Sequence, residues 1–170
     1  MSARPAGTPA AGLRPFLPSD TPTLASILSA AIFELTSEDY DPDQQDGWAA
    51  AAASDEEALA KRLASSLTLV AERDGEVVGF IALADNKLID LLYVHPKVAG
   101  KGVAALLCDA IERLAAARGA TSLIADASDT ALGFFQKRGY VARQRNSVLR
   151  GAVWLGDTTV EKQLGEPAEG

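Results

Sequence analysis

The middle of the chain carries the pattern that most limits its fold, a strand, a glycine loop and a helix in direct succession. Residues 90–112 read DLLYVHPKVAGKGVAALLCDAIE. The apolar, β-prone run 91–94 ends at His95-Pro96, because proline fixes φ and donates no hydrogen bond. After Gly100 and Gly102, apolar residues recur at the three- and four-residue spacing of one helix face. These residues are Val103, Leu106, Leu107, Ala110, Ile111 and Leu114.

Such a loop can hold an anion through its main chain. The first N–H groups of a helix lack partners inside the helix, and the helix dipole adds positive potential there. Glycine lets a phosphate approach the backbone, whereas a Cβ at Gly100 or Gly102 would stand in the way. Two glycines alone fit an ordinary strand-to-helix turn equally well, so the flanking sequence has to decide.

Two motifs lie on either side of this helix. The first is Lys97-x-x-Gly100-x-Gly102, and the second is the segment 128–140, SDTALGFFQKRGY. The first resembles the Arg/Gln-x-x-Gly-x-Gly/Ala acyl-CoA loop of the GNAT superfamily of N-acetyltransferases, with Lys97 where Arg or Gln is usual. The second is similar to that family's Asn-x-x-Ala-x-x-x-Tyr-x-x-x-Gly-Phe segment, in register throughout. The resemblance covers about residues 12–164.

The resemblance implies an α+β fold with three α/β/α layers, in which helices cover both faces of a mixed, mostly antiparallel sheet of six or seven strands. The order of predicted elements agrees with it. Helices are predicted from residue 21, over 42–53 and over 54–64, the last with a Ser54-x-x-Glu57 capping box. One acetyltransferase domain is expected over residues 12–164, with a disordered leader at 1–11 and a loose tail at 165–170.

The strands of this sheet are predicted from alternation and turn residues. Two hairpins are expected around Asp74-Gly75 and Asp85-Asn86, so that three antiparallel strands precede the glycine loop. Ser128 is predicted to cap the helix of the second motif, and Gly139 to follow its end. The predicted strands are 67–72, 77–83, 88–94, 122–127, 140–149 and 153–162, with an edge strand at 13–17.

The resemblance further implies acetyl-CoA as co-substrate, bound by the loop, by the strand before it and by the second motif. The residues concerned are Leu92, Tyr93, Val94, Val98, Ala99, Gly100, Lys101, Gly102, Val103, Ser128 and Phe135. Lys97 and Lys101 can offset phosphate charge locally. Phe135 stands where the family often has a tyrosine that protonates the departing thiolate. Either another group serves, with Tyr93 as the nearest candidate, or the thiolate leaves unassisted. No metal site is predicted.

The acceptor amine has to lose a proton before it attacks the thioester. At pH 7 this costs on the order of 4.6 kcal/mol for a lysine-like amine, so a general base is useful. Asp90 is the candidate, as the only carboxylate in the strand 88–94, and Glu34 is the alternative. Candidates for the wall of the acceptor pocket are Phe33, Tyr40, Trp48 and Trp154, and candidates for recognising an acidic group of the acceptor are Arg143, Arg145 and Asn146.

The predicted function is acetyl-CoA-dependent N-acetylation of a primary amine on a small or amino-acid-like acceptor, and the alternative is a non-catalytic acyl-CoA-binding module. A net charge of −7 over 170 residues argues against nucleic acid as a partner and mildly favours cationic acceptors. No apolar run suits a membrane span. The single cysteine, Cys108, and the lack of a signal-peptide pattern predict the cytoplasm. Family members are often dimers, so a homodimer is one expected assembly.

A dinucleotide-binding loop is the competing interpretation of the glycines. The segment 100–105 fits the loose fingerprint Gly-x-Gly-x-x-Gly/Ala. That motif should turn straight out of the first strand of a βαβ unit, with an acidic residue about twenty residues on. Here residues 96–99 intervene, hairpins precede the loop, and the spacing to Asp126 is long. These departures weigh against a nicotinamide or flavin site.

Overall fold

The computed structural model describes residues 11–165, which form seven strands and five α-helices. The strands are β1 (Gly12–Pro15), β2 (Leu67–Arg73), β3 (Glu76–Ala84), β4 (Leu88–Val94), β5 (Ser122–Ser128), β6 (Val141–Arg150) and β7 (Val153–Gln163). The helices are α1 (Thr21–Leu35), α2 (Pro42–Ala53), α3 (Glu56–Ser65), α4 (Val103–Ala117) and α5 (Asp129–Lys137). The predicted leader and tail lie, except for Ala11 and Gly165, outside the described residues. No helix within residues 11–165 is both long and apolar enough to cross a bilayer.

All seven strands belong to one mixed sheet in the order β1-β2-β3-β4-β5-β7-β6. Neighbouring strands are antiparallel except β4 and β5, which run parallel. A parallel pair needs a long crossover, and α4 lies within it. The structure therefore confirms the predicted mixed, mostly antiparallel sheet.

The turns of the two predicted hairpins follow local sequence rules. Asp74 and Gly75 have φ of 55° and 75°, and Asp85 and Asn86 have φ of 54° and 53°. Positive φ at both central residues suits the right-handed twist of the flanking strands and favours Asp, Asn and Gly. The hairpins that join β2, β3 and β4 are consequently confirmed.

The predicted cap of α3 is wrong by one residue. Asp55, and not Ser54, is the N-cap, and its carboxylate accepts a 3.0 Å hydrogen bond from the N–H of Ala58. The hydroxyl of Ser54 bonds instead to the carbonyl of Ala50 at the end of α2. A carboxylate is the stronger acceptor for the free N–H groups of a helix, so the acid takes the capping position.

Helices cover both faces of the sheet and enclose two apolar clusters. On the α1 face, helices α1, α2 and α3 pack against Val70, Phe80 and Leu91. On the α4 face, helices α4 and α5 pack against a cluster that includes Ile81 and Leu123. The α/β/α layers are therefore those predicted.

The buried stripe of α4 differs from the predicted one along one edge. Leu114 is exposed and Leu106 is only half-buried. The buried residues are Val103, Leu107, Cys108, Ile111 and Ala115. The helical period was therefore right, but the helix is rotated so that Cys108 and Ala115 face the sheet.

Candidate active site

Strands β4 and β5 separate and leave a cleft in the sheet. Residues 88–89 pair with residues 124–125, and the register shows no further pairing between these strands. Asp90 has no partner in the β3 register and forms a β-bulge there. Because a bulge bends and twists its strand, β4 turns away from β5 just beyond it. Up to Val94 and Ser128 the two strands line a cavity of about 210 Å³.

The end of β4 presents main-chain groups to this cleft. The N–H of His95 donates to the carbonyl of Val78 in β3 at 2.7 Å, so by strand alternation the main chain of Tyr93 also faces β3. The N–H and C=O groups of Leu92 and Val94 consequently point toward β5, which has already separated. An extended chain in the cleft can pair with them as an added strand would.

The loop before α4 leaves helix amides free. A turn of 3-10 helix (Pro96–Val98) leads to Gly100 and Gly102, whose φ angles are 75° and 84°. A Cβ at either glycine would meet no atom within 4 Å, so the space above the loop is open. Within the described part of the chain, no main-chain carbonyl accepts from the N–H groups of residues 100 and 102–105. Free amides at an exposed helix N-terminus fit a diphosphate.

Three of the predicted loop residues have no amide to offer. The N–H groups of Val98, Ala99 and Lys101 donate to carbonyls inside the loop at 2.9, 3.1 and 3.1 Å. The side chain of Val98 is also buried in the core. The donor set predicted over residues 98–103 therefore shifts toward the helix, to residues 100 and 102–105.

Two lysines flank the loop, and they differ in their surroundings. The Nζ of Lys97 lies 2.6 Å from the carboxylate of Glu76, and this contact lowers the pKa of Glu76. Lys101 is exposed and forms no ion pair within residues 11–165. Lys101 is thus the cation beside the free amides whose charge is not already shared.

The second motif forms one wall of the cleft. Ser128 caps α5 as predicted, and its hydroxyl accepts from the N–H of Ala131 at 3.1 Å. The ring of Phe135 is 4% exposed and lies 5.1 Å from the ring of Tyr140, centroid to centroid. The hydroxyl of Tyr140 donates to Glu112, away from the cavity lining. This wall therefore offers no phenolic proton to the cleft.

A second, larger cavity of about 450 Å³ adjoins the cleft on the α1 face. We call it the acceptor cavity. Tyr40 and Trp48 line it as predicted. Phe33 and Trp154 do not, and they are 43% and 61% exposed. Nor do four polar candidates line either cavity, namely Glu34, Arg143, Arg145 and Asn146.

Tyr93 stands where the two cavities meet. Its hydroxyl accepts a 3.1 Å hydrogen bond from Nε1 of Trp48, and its ring packs 5.9 Å from that of Phe80. Burial raises the pKa of Tyr93 to about 12. The hydroxyl therefore stays protonated at neutral pH, and its own O–H remains able to donate.

Asp90 also lies at the junction, but its carboxylate is engaged. Nε and Nη2 of Arg62 in α3 donate to its two oxygens at 2.6 and 2.8 Å. This two-point contact raises the pKa of Arg62. A carboxylate held by a guanidinium is less available to a substrate proton, because accepting one would break the pair.

Two carboxylates in the acceptor cavity escaped the sequence analysis as site residues. They are Asp126 of β5 and Asp157 of β7, both of which line the acceptor cavity. Burial raises the pKa of Asp157, and the negative charge of Asp126 adds to that rise. The alternation of Ile124, Asp126 and Ser128 along β5 could have placed Asp126 on the polar side, but the sequence does not show which strand lies beside it.

Comparison with known proteins identifies the family. The model of the acetyltransferase (GNAT) domain matches residues 36–156. The chain belongs to the GNAT acetyltransferases. A protein of Rhodopseudomonas palustris, described as a GCN5-related N-acetyltransferase and as "aminotransferase, class-II", is 48% identical to it. Its crystal structure gives a TM-score of 0.89 over 92% of this chain and 98% of that chain.

More distant GNAT structures share the fold. The PaiA N-acetyltransferase of Thermoplasma acidophilum, solved with coenzyme A, is 19% identical, with a TM-score of 0.76 over 91% of this chain and 99% of that one. A phosphinothricin acetyltransferase of Sinorhizobium meliloti, solved with acetyl-CoA, is 20% identical, with a TM-score of 0.68 over 95% of each chain. The predicted GNAT fold and the predicted acetyltransferase class are confirmed.

Proposed function

We propose that this GNAT acetyltransferase moves the acetyl group of acetyl-CoA to a primary amine of a small molecule, by direct attack of the amine on the thioester. The observation that carries the proposal is the continuity between the free amides at the start of α4 and the unpaired edge of β4. The first suits a diphosphate, and the second suits an extended pantetheine arm. The coenzyme A and acetyl-CoA complexes of the two distant GNAT proteins support it.

The loop can supply the binding energy for such an anion. Hydrogen bonds to charged groups contribute about 1.5 to 3 kcal/mol each, and five amides are free there. Three or four such bonds give cofactor-grade affinity even after the loss of translational freedom, for which estimates begin at about 4 kcal/mol. Lys101 adds a full positive charge beside them.

The acceptor cavity fits a small cationic molecule. Its volume of about 450 Å³ lies inside the roughly 300 to 1,000 Å³ of small-molecule sites. Asp126 and Asp157 line it together with Arg62 and Arg150. Because Arg62 is already paired with Asp90, two carboxylates remain against the single guanidinium of Arg150. This balance favours an ammonium group, and Arg150 could hold a carboxylate of an amino-acid-like acceptor.

The departing thiolate can be stabilised by Tyr93, although a full proton transfer is uphill. A free thiol has a pKa of about 8.5, and the step from there to about 12 corresponds to about 5 kcal/mol. The hydroxyl of Tyr93 therefore acts as a hydrogen-bond donor to the sulfur, and water supplies the proton. Tyr93 would thus take over the role of the family's tyrosine, whose position is occupied by Phe135 in this chain.

A turnover assay tests the proposal. Purified protein is mixed with acetyl-CoA and a panel of amines and amino acids, and free thiol and acetylated amine are both measured. We expect amine-dependent thiol release with one acetylated product per thiol. The alternative is a non-catalytic acyl-CoA-binding module, which is favoured by the absence of a tyrosine at position 135. Such a module would bind CoA but would release no thiol with any amine of the panel. Failure to bind CoA would reject both.

The assembly and location of the protein remain predictions. A homodimer is expected from the family, and light scattering coupled to size-exclusion chromatography measures it. Cytoplasmic location is expected from the sequence, and fractionation of the native host measures it.

A further inference from the structure

The acceptor amine and the thioester have to meet where the two cavities join. Four residues with carboxylate or hydroxyl side chains line both cavities, namely Asp90, Tyr93, Asp126 and Ser128. Both carboxylate oxygens of Asp90 already accept hydrogen bonds from Arg62. Hydroxyl groups are poor proton acceptors near neutral pH, and the raised pKa of Tyr93 keeps its hydroxyl protonated. Asp126 is the carboxylate that remains.

We propose that Asp126 takes the proton from the ammonium group of the acceptor, the role that sequence analysis assigned to Asp90. The inference rests on the proposed function, since it concerns the acceptor side of the same site. Asp126 lies on β5, the strand that separates from β4 at the cleft. Asp126 is exposed to solvent, so a proton that its carboxylate receives can pass on to water.

Neighbouring strands hold one oxygen of this carboxylate and leave the other free. Thr159 of β7 is its register partner, and the Thr159 hydroxyl donates to Oδ1 of Asp126 at 2.5 Å. Nδ2 of Asn146 in β6 donates to the Thr159 oxygen at 2.8 Å and to Asp157 at 2.9 Å. No protein donor within residues 11–165 reaches Oδ2 of Asp126. The orientation of Asp126 thus depends on two other strands, β7 directly and β6 through Thr159, and its second oxygen can still accept a proton.

The charges around Asp126 favour a cation beside it. The other titratable or charged residues that line the acceptor cavity are Tyr40, Arg62, Asp90, Tyr93, Arg150 and Asp157. Asp157 lies on β7, the strand next to β5, and adds negative charge to the same cavity. Burial is the main cause of its raised pKa, and repulsion from the charge of Asp126 adds to it. An ammonium group between Asp126 and the cleft relieves that repulsion, so binding and deprotonation of the amine occur at one place.

The proton balance of the reaction is complete with this assignment. The ammonium group gives one proton to Asp126, which releases it to water, and the nitrogen keeps its lone pair for attack. A C–N bond to the acetyl carbon forms, and the C–S bond breaks with its electron pair on sulfur. The second proton leaves the nitrogen as the amide forms, and the thiolate takes a proton from water. One ammonium and one thioester thus give one amide, one thiol and one proton.

Three matched variants test the assignment. Asp126→Asn keeps the acceptor oxygen for Thr159 but cannot take a proton. We expect its kcat/KM for the amine at pH 7 to fall about 100-fold or more, as is typical of a lost general base. Glu161→Gln removes a carboxylate of β7 that lines neither cavity, and its rate should stay near wild type. The kcat/KM of Asp90→Asn for the amine should fall by less than tenfold.

The pH profile separates a chemical role from a structural one. Without the base, the reaction depends on amine that is already neutral, whose fraction rises about tenfold per pH unit below a pKa of about 10.4. The deficit of Asp126→Asn should therefore shrink steadily from pH 7 to pH 9.5, while CoA affinity measured by calorimetry stays unchanged. A pH-independent deficit, or a larger loss in Asp90→Asn than in Asp126→Asn, would overturn the inference.

Three results distinguish the inference from the function on which it rests. If wild-type protein fails to bind CoA, the proposed function fails. If it binds CoA but acetylates no amine of the panel, the transferase activity fails as well and only the CoA site stands. If wild-type protein acetylates an amine and Asp126→Asn does so at the wild-type rate, the proposed function stands and the assignment of Asp126 alone is overturned.

Discussion

Gly102 at the start of α4 allows a quantitative test of the proposed CoA loop. It is the N-cap residue, its φ is 84°, and its missing Cβ would have no atom within 4 Å. In Gly102→Ala the backbone has to keep a left-handed conformation, which costs about 1 to 2 kcal/mol for an L-residue. The new methyl group also enters the open space through which a diphosphate would approach the amides.

Gly119, at the other end of the same helix, provides a matched control. Its φ is 92°, and its missing Cβ is equally free of neighbours. For a domain of this size, 1 kcal/mol lowers Tm by about 2 to 4 °C, so Gly119→Ala and Gly102→Ala should each lose about 2 to 8 °C. Only Gly102→Ala should lose CoA affinity. The loss of one charge-assisted hydrogen bond of about 1.5 to 3 kcal/mol raises Kd at least about tenfold.

Thermal unfolding and calorimetric titration with CoA give the two quantities separately. We expect similar Tm values for the two variants and a Kd difference of about tenfold or more between them. If Gly102→Ala unfolds like Gly119→Ala but binds CoA as wild type does, the helix amides are not the phosphate site. Equal loss of binding in both variants would show that the effect comes from α4 as a whole.

Three further outcomes follow from Tyr93, Asp157 and Cys108, whose pKa values are raised mainly by burial. In Tyr93→Phe the hydrogen bond to the departing thiolate is lost, so kcat should fall about tenfold or more while Kd for CoA is unchanged. The pKa of Asp157 is raised in the folded protein from its ordinary value of 3.8. Ionised Asp157 therefore lowers the free energy of unfolding at pH values above the raised pKa, and this effect is absent below pH 3.8, where the carboxyl group is protonated in both states. Asp157→Asn should therefore raise Tm at pH 7, with a gain that shrinks as pH falls toward 3.8, and should raise KM for the amine. The pKa of Cys108 is raised to about 12 by burial, so mass spectrometry should detect no alkylation by iodoacetamide at pH 8 until denaturant is added.

Local rules predicted the elements that bring the site together. The Asp74-Gly75 and Asp85-Asn86 turns fix two hairpins, and the 3.6-residue period after Gly102 fixes α4. These signals depend on a few adjacent residues, so one sequence suffices to see them. The glycine loop before α4 could be predicted for the same reason, since strand, glycines and helix are consecutive, and its role in binding CoA stays a proposal.

The features of the candidate site that could not be predicted from the sequence depend on contacts between distant segments. Asp90 is predicted as a base from its own strand, but Arg62 comes from a helix 28 residues earlier and occupies both of its oxygens. Asp126 acquires its orientation from Thr159, which is 33 residues away. No local pattern records which strand lies beside β5, so the order β5-β7-β6 had to be seen before Asp126 could be assigned.

The proposed site would hold an anion and a cation side by side in an acidic protein, because its two ends use different kinds of charge. At physiological salt, charges more than about 8 Å away are largely screened, so the net charge of −7 matters less at the loop than Lys101 and the free amides beside it. Those amides carry only partial charges, directed along the helix axis. In the proposed complex they would attract a diphosphate without the full positive potential that several lysines would create. Under the proposed assignment, an ammonium group would therefore still occupy the junction beside Asp126 without being repelled from the thioester that it has to attack.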